Sequence, residues 1–253
     1  MPTQGGYGYE PLRGVPHGQA LEFLATLRPL KDIRLKVLAS HVAIAGDPIS
    51  QQAALKTRRF AQVLAAARQE SGHLADSSLS GSGEAMASPP QSPEASAFAR
   101  LGIALYGGRP NPASDGLADL RPVMHFATRL LAMHRVLAGE SVSYGATWQS
   151  PVDTGLGALP VSYSDGYPRA LSNRGQLQVG GELAPMRGRG VHEPDHGELG
   201  RLPAVVDEVV LLGRQGGRDV SVDQLDAWAW TISYKITYGL GAANRRRFRL
   251  ETF

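Results

Sequence analysis

The sequence predicts an α/β region followed by an all-β region, and two changes of pattern support this division. Before about residue 110, apolar residues recur at helical spacing, and short apolar runs lie between the helical segments. After about residue 117, short β-prone runs alternate with turns rich in Gly and Pro. We therefore assign residues 1–112 to an α/β domain and residues 113–253 to a β domain.

The first region has the order helix, strand, helix, strand. One apolar helical face consists of Ala20, Leu21, Phe23, Leu24 and Leu27, and a second consists of Ile49, Leu55, Phe60, Val63 and Leu64. Apolar runs that start at Ile33 and at Phe98 predict strands. This alternation is typical of a parallel sheet with helices outside it. Residues 71–97 are rich in Ser, Gly, Ala and Pro, and this composition predicts a flexible loop.

The second region predicts antiparallel strands in "LPVSYSDGYP", "GQLQVGGELAP" and "VVLLGRQGG". One helix interrupts them at Ser221, where Gln224 completes a capping-box pattern. In "GESVSYGATW", residues 139–148, a β-prone run ends on Tyr144 before Gly145. Taken alone, such a tyrosine indicates a strand end with an amphipathic ring at its rim. The alternative is that its hydroxyl faces a reacting centre.

Composition and charge exclude several classes of partner. No apolar run approaches the roughly 18 residues of a membrane span, and the N-terminal residues lack a secretory pattern. Together with the absence of cysteine, this predicts a cytoplasmic protein that does not bind membranes. The net charge of +3 is spread evenly, apart from "NRRRFR" at residues 244–249. An isolated basic run of this kind predicts a solvated tail or a last strand and not a nucleic-acid surface.

Several motifs together resemble the alanine racemase family. "FARLGIALYGG" at residues 98–108 resembles a barrel strand of that family, and "RPVM" at 121–124 resembles the start of its C-terminal β domain. "GESVSYGATW", "LPVSYSDGYPRALSNRGQLQVGG", "DEVVLLGRQGG" and "TISY" follow in the family's order and spacing, and "SHVAIAGDP" resembles a motif of its first half. The resemblance implies a (β/α) TIM-type barrel, a C-terminal antiparallel β domain, a pyridoxal 5'-phosphate cofactor and a homodimer. The implied reaction is the interconversion of L- and D-alanine.

Racemisation at an amino-acid Cα needs bases on opposite faces of the carbon, because the proton leaves one face and returns to the other. Tyr144 matches the family's tyrosine base, which the partner subunit contributes. An ordinary phenol has a pKa of about 10, so this role needs nearby cations or donors at neutral pH. Arg100 matches the arginine that faces the pyridine nitrogen, and a guanidinium there does not give up its proton.

The family's phosphate contacts fall on three further positions. The backbone amides of Gly102 and Ile103 match the amides that hold the cofactor phosphate, and Ser77 matches a serine that contacts the same group. Asp76 stands where the family has Asn, and an added negative charge is unfavourable beside a phosphate.

The resemblance also places residues beside the ring and the substrate. His41 matches the histidine near the cofactor ring, and Tyr163 matches a substrate-side tyrosine. His192 and Glu193 replace the family's methionine and aspartate near the substrate carboxylate. We expect a small amino acid as substrate.

The family's Schiff-base lysine has no match in these residues, and neither has its carbamylated lysine. The lysines present are Lys31, Lys36, Lys56 and Lys235, and the resemblance assigns none of them to that role. We therefore expect a partial barrel. We also expect the chain to form a homodimer or to pair with a complementing chain, and to show no turnover by itself. The alternative function is a non-catalytic binding or dimerisation module derived from a racemase.

"HEPDH" at residues 192–196 matches the zinc pattern H-E-x-x-H, in which two histidines share one helix face. Pro194, together with glycines at 188, 190 and 197, opposes such a helix. We therefore expect a pair of loop histidines and no metal site.

Overall fold

The computed structural model of the protein describes residues 14–42, 51–71, 76–87, 97–111, 114–188, 195–199, 208–245 and 247. They fall into two compact units. The first unit contains the described residues up to Leu105 together with Arg109–Leu120. The second contains Tyr106–Gly108 and the described residues from Arg121 onward.

The first unit combines helices with a pair of parallel strands. Its elements are α1 (Ala20–Leu27), β1 (Val37–Ala39), α2 (Gln51–Ser71), β2 (Asp76–Ser78) and α3 (Ser82–Ala87). β1 and β2 pair in parallel with Leu38 opposite Ser77, which confirms the predicted strand direction. The core consists of Leu24, Val42, Phe60, Val63, Leu64, Ala67 and Leu79. Phe60, Val63, Leu64 and Ala67 have the spacing of one helical face, so the periodicity of α2 explains its buried side.

The strand expected from Phe98 is not formed. This segment runs beside β2 through two backbone hydrogen bonds, from Ala97 to the carbonyl of Ser77 (2.9 Å) and from Arg100 to that of Ser80 (2.8 Å). These bonds are three residues apart, whereas a strand ladder repeats every two residues. The chain then continues as the 3₁₀ helix Ile103–Tyr106.

The expectation of a flexible loop over residues 71–97 is wrong for its described part, because β2 and α3 lie within it. Backbone hydrogen bonds tie β2 to the segment around β1, from Asp76 to the carbonyl of Lys36 (3.2 Å) and from Ser40 to that of Ser78 (2.9 Å). The serines and glycines here are small enough to be buried. Composition alone does not reveal such packing. Residues 72–75 and 88–96 lie outside the described residues.

The second unit is an antiparallel β domain, as the sequence predicts. Its strands are β3 (Phe126–Thr128), β4 (Ala132–Val136), β5 (Ser141–Val142), β6 (Trp148–Gln149), β7 (Thr154–Leu159), β8 (Gln176–Val179), β9 (Glu182–Arg187), β10 (Asp195–Leu199), β11 (Val209–Gln215) and β12 (Arg218–Val220). Eight of them form one sheet in the order β12-β11-β8-β9-β10-β7-β4, with β3 also paired to β11. β5 and β6 form a separate two-stranded sheet.

Two helices pack against this domain, where the sequence predicts one. α4 (Val222–Ala229) begins with the predicted capping box: the Gln224 amide donates to Ser221 Oγ (3.1 Å), and the Ser221 amide donates to Gln224 Oε1 (2.7 Å). α5 (Ser233–Ala243) was not predicted. Its Ile236 and Leu240 are buried in the same core as Leu225 of α4, so tertiary packing supports this helix.

At the α4–α5 junction, the buried Ser233 hydroxyl forms hydrogen bonds with two carboxylates. Its distance to Asp223 Oδ1 is 3.0 Å, and its distance to Asp226 Oδ2 is shorter. Partial burial raises the pKa of the Asp226 carboxyl. The hydrogen bond from Ser233 opposes this shift, and the charge of Asp223 adds to it.

We expect Asp226→Asn to become progressively more stable than the unaltered chain as pH rises from 4 to 7. A raised pKa means that the folded state binds the proton more tightly, so Asp226 loses its stabilising contribution as pH rises through its folded pKa. An asparagine has no such loss and can still hydrogen-bond to Ser233. Melting temperatures measured across this pH range, with Asp219→Asn at an exposed site as control, test the expectation. A pH-independent difference would contradict it.

The basic run that starts at Asn244 follows α5, and the side-chain amide of Asn244 donates to the carbonyls of Leu240 (3.0 Å) and Asp165 (2.7 Å). Arg245 and Arg247 are exposed, which agrees with a solvated tail. Among the described residues, no helix combines the length and the apolarity that crossing a membrane requires.

Candidate functional site

Arg100 lies at the carboxyl end of the parallel strands of the first unit. Its Nη1 donates to the carbonyl oxygen (3.0 Å) and the hydroxyl (2.8 Å) of Ser78, and its Nη2 donates to the carbonyl of Ser40 (2.5 Å). Ser40 directly follows β1 and Ser78 ends β2. The guanidinium therefore bridges the ends of both strands and fixes a permanent positive charge at this edge.

Ser77 is fully buried in β2, and its Oγ has no hydrogen-bond partner among the described residues. A buried hydroxyl without a partner is costly, because its lost hydration is not compensated. The neighbouring Ser78 differs, because its Oγ donates to the carbonyl of Phe98 (3.1 Å) and accepts from Arg100. Asp76 is exposed at the amino end of β2.

In the segment after Arg100, two backbone amides donate hydrogen bonds to the hydroxyl of Ser82. The Gly102 amide donates to Ser82 Oγ at 2.9 Å, and the Ala104 amide does so at 3.4 Å. Ile103, which lies between them, is buried. An anion bound here would therefore compete with the Ser82 hydroxyl for the Gly102 amide. This role of Ser82 was not predicted, because Ser82 belongs to a run whose composition indicates a loop.

His41 lies next to Gly81, which follows β2. A Cβ on Gly81 would come within 3.4 Å of His41 Cε1. The Gly81 amide donates to Glu84 Oε2 (2.8 Å), while Glu84 Oε1 is buried with no partner in the described part of the chain. Four predicted positions therefore gather around the end of β2: His41, Ser77, Arg100 and Gly102.

Tyr144 lies in the second unit on an arm that we define as residues 137–153. The arm contains β5, β6 and the turn between them, and 56% of the Tyr144 surface is exposed. At the base of the arm, Asp153 accepts hydrogen bonds from the Ala138 amide (3.0 Å) and from Arg135 (2.8 Å). Both hydrogen bonds lower the pKa of the Asp153 carboxyl, and the bond from the Ala138 backbone amide has a larger effect than the bond from Arg135. Tyr144 is therefore accessible from outside its own unit over more than half of its surface.

Tyr163 begins a 3₁₀ helix, Tyr163–Asp165, and 41% of its surface is exposed. Ser162 and Asp165 form a capping box around this turn, with the Ser162 amide donating to Asp165 Oδ2 (2.9 Å). Local hydrogen bonds therefore fix the backbone that carries Tyr163.

His192 and Glu193 lie outside the described residues. The zinc-binding helix that "HEPDH" would require is not formed, because its last two residues, Asp195 and His196, belong to strand β10. His196 pairs with Ala158 of β7 and Arg187 of β9.

The lysines all lie outside β1 and β2. Lys36 is exposed and precedes β1, which places it at the amino end of that strand. Lys31 is exposed in a turn, Lys56 lies in α2, and Lys235 lies in α5 of the other unit.

Both halves of the chain match the same protein family when they are compared with known proteins. The model of the alanine racemase N-terminal domain matches residues 13–110, and that of the alanine racemase C-terminal domain matches residues 123–248. The chain is 36% identical over 242 residues to the alanine racemase of Syntrophobacter fumaroxidans, covering 93% of this chain and 62% of that protein. The chain thus spans about three fifths of the length of the relatives that it matches.

Solved structures agree with this result. The alanine racemase of Streptomyces coelicolor superposes with a TM-score of 0.80 at 29% identity, over 95% of this chain and 62% of that one. The alanine racemase of Bartonella henselae, solved with covalently bound pyridoxal phosphate, gives a TM-score of 0.75 at 23% identity, over 90% and 60% of the two chains. These likenesses confirm the predicted fold class, a barrel-type domain followed by an antiparallel β domain.

Proposed function

The chain belongs to the alanine racemase family, and we propose that its residues form part of a pyridoxal-phosphate-dependent site that interconverts L- and D-alanine. The observation that carries the proposal is the end of β1 and β2, where Arg100 bridges both strands and where the buried hydroxyl of the adjacent residue Ser77 has no partner among the described residues. These groups favour a catalytic site over a module used only for binding or dimerisation.

The residues present fit the cofactor. Ser77 Oγ–H is a buried donor that lacks an acceptor within the described residues, which suits a phosphate oxygen. Arg100 offers a guanidinium cation at the same end of the strands, and His41 and Gly102 also belong to the segments that meet there. When bound, pyridoxal phosphate would supply the electron-withdrawing group that makes the alanine α-proton removable.

Tyr144 would move the proton on one face of the alanine Cα. Its position at the rim of the arm leaves the ring accessible to a substrate held by another copy of the chain. Tyr144 and Arg100 belong to different units of one chain. The family resemblance supports a dimer in which one copy contributes Tyr144 and the other contributes Arg100 and Ser77. Tyr163, partly exposed on its capped turn, and His192 and Glu193 are proposed to lie on the substrate side.

The test is the affinity of the chain for N-phosphopyridoxyl-L-alanine, a stable adduct that needs no lysine for attachment. We expect Ser77→Ala to weaken binding about tenfold or more, because a hydrogen bond to a charged group contributes about 1.5–3 kcal/mol. The same variant should be as stable as the unaltered chain or slightly more stable, because it removes a buried polar atom that has no partner among the residues described. Titration calorimetry and thermal unfolding measure the two effects.

Ser78→Ala is the matched control. It deletes a hydroxyl that bonds to Phe98 and Arg100, so it should lower the free energy of unfolding by about 1 kcal/mol. Unchanged affinity in Ser77→Ala would contradict the role of Ser77. Failure of the unaltered chain to bind the adduct would contradict the proposed function.

A further inference from the structure

The turn that carries Tyr144 lies at the tip of a short hairpin, whose base is closed by backbone hydrogen bonds from Gly139 to the Ser150 carbonyl (2.7 Å) and from Ser150 to the Glu140 carbonyl (2.8 Å). β5 and β6 pair over two positions, Ser141 with Gln149 and Val142 with Trp148, and they share no ladder with the eight-stranded sheet in the described part of the chain. So short a hairpin is not stable by itself. The turn also departs from ordinary backbone geometry, with positive φ at Ser143 (65°), Gly145 (76°) and Ala146 (45°).

Asn173 joins this turn to the large sheet. Its Oδ1 accepts from the Gly188 amide (2.6 Å), just after β9, and its Nδ2 donates to Thr147 Oγ1 (3.1 Å). Gly188 also touches the start of the turn, since a Cβ on it would lie 2.6 Å from Ser143 Cβ. Asn173 therefore links Thr147, at the end of the segment that contains Tyr144, to Gly188 after β9.

Trp148 provides a second contact beyond the turn, because Arg187 Cζ lies 5.4 Å from the centre of its ring. That contact holds β6, whereas the hydrogen bond from Asn173 to Thr147 acts on the turn itself. Asn173 has φ of 57°, a left-handed conformation that asparagine adopts more readily than most residues.

We propose that Asn173 is a positioning residue that holds the Tyr144 turn in place for proton transfer. The inference rests on the proposed role of Tyr144 as a base. Proton transfer requires a donor–acceptor separation within hydrogen-bond range, and small displacements of a reacting group reduce rates strongly. The Tyr144 ring is more than half exposed on this turn, and the hydrogen bond from Asn173 to Thr147 ties the turn to a residue outside the hairpin.

Asn173→Gly is the informative variant, because glycine keeps the left-handed backbone and removes both side-chain hydrogen bonds. We expect amide hydrogen exchange in the peptide of residues 141–149 to become about tenfold faster. The peptide of residues 176–187 should change less than twofold. Asn173→Asp should restore protection to within about threefold of the unaltered chain, because its carboxylate accepts from Gly188 and from the Thr147 hydroxyl.

Affinity for N-phosphopyridoxyl-L-alanine links the turn to Tyr144. We expect Asn173→Gly to weaken binding of the adduct several-fold when Tyr144 is present. Combined with Tyr144→Phe, it should have no further effect on binding. Equal weakening in both backgrounds, or unchanged exchange in the 141–149 peptide, would overturn the positioning role. If the unaltered chain failed to bind the adduct, the proposed function and the positioning role would both fail, while the exchange data would still report the structural contact.

Discussion

The 253-residue chain, supplied with saturating pyridoxal phosphate, is expected to convert L-alanine to D-alanine no faster than pyridoxal phosphate does without protein. Racemisation by two bases needs a group opposite Tyr144, and a general base contributes roughly 10²–10⁴-fold to such a step. The resemblance assigns that group to a lysine that also carries the cofactor. None of the lysines in these residues is placed for both tasks.

Lys36 is the nearest to β1 in sequence, and it illustrates the geometric problem. It precedes β1, whereas Arg100 bonds to Ser40 just beyond the other end of that strand. The three residues of β1 separate these ends by roughly 10 Å. Lys235 lies on α5, in the other unit from Arg100. Lys36 therefore lies at the opposite end of β1 from the residue that Arg100 contacts.

A chiral assay of alanine over time measures this expectation, and borohydride reduction followed by peptide mass spectrometry reports any lysine that carries the cofactor. The Tyr144→Phe chain is the control for contaminating racemase. Protein-dependent racemisation that disappears in this variant would contradict the expectation. It would also show that one of the lysines present reaches the substrate.

The β domain follows closely from its sequence. "GQLQVGGELAP" folds as β8 and β9 around Gly180 and Gly181, which both have positive φ, and the capping box at Ser221 starts α4. In both places the information is local, because turn chemistry and side-chain alternation act over a few residues. α5 was not predicted, because its stability comes from contacts distant in sequence.

The candidate site was only partly predictable for the same reason. Motif resemblance identified Arg100, Ser77 and Tyr144. It did not identify the residues that hold these side chains in place. Ser40 and Ser78 support Arg100 through bonds that span 60 and 22 residues. Asn173 reaches Thr147 across 26 residues. Such partners have no short-range pattern, and serine and asparagine are common in turns for unrelated reasons.

Gly166→Ala is expected to lower the free energy of unfolding of the β domain by about 3 kcal/mol, combining about 1–2 kcal/mol for a left-handed alanine with the cost of overpacking. Gly166 ends the 3₁₀ helix of Tyr163 with φ of 79°. A Cβ there would lie 2.1 Å from the carbonyl oxygen of Gly239 in α5, so the helix and the loop could not both keep their positions. The melting temperature should fall by roughly 10 °C.

Gly217→Ala separates the two causes. Gly217 has φ of 84°, nearly that of Gly166, but a Cβ there would meet nothing within 4 Å. Its substitution should cost only the conformational part, about 1–2 kcal/mol. Equal losses in the two variants would mean that the approach of α5 to the Tyr163 loop is not tight. A larger loss at Gly166 would show that α5 packs closely enough on this loop to hold the backbone beside Tyr163. The hydrogen bond from Asn244, at the end of the helix, to the Asp165 carbonyl acts in the same direction.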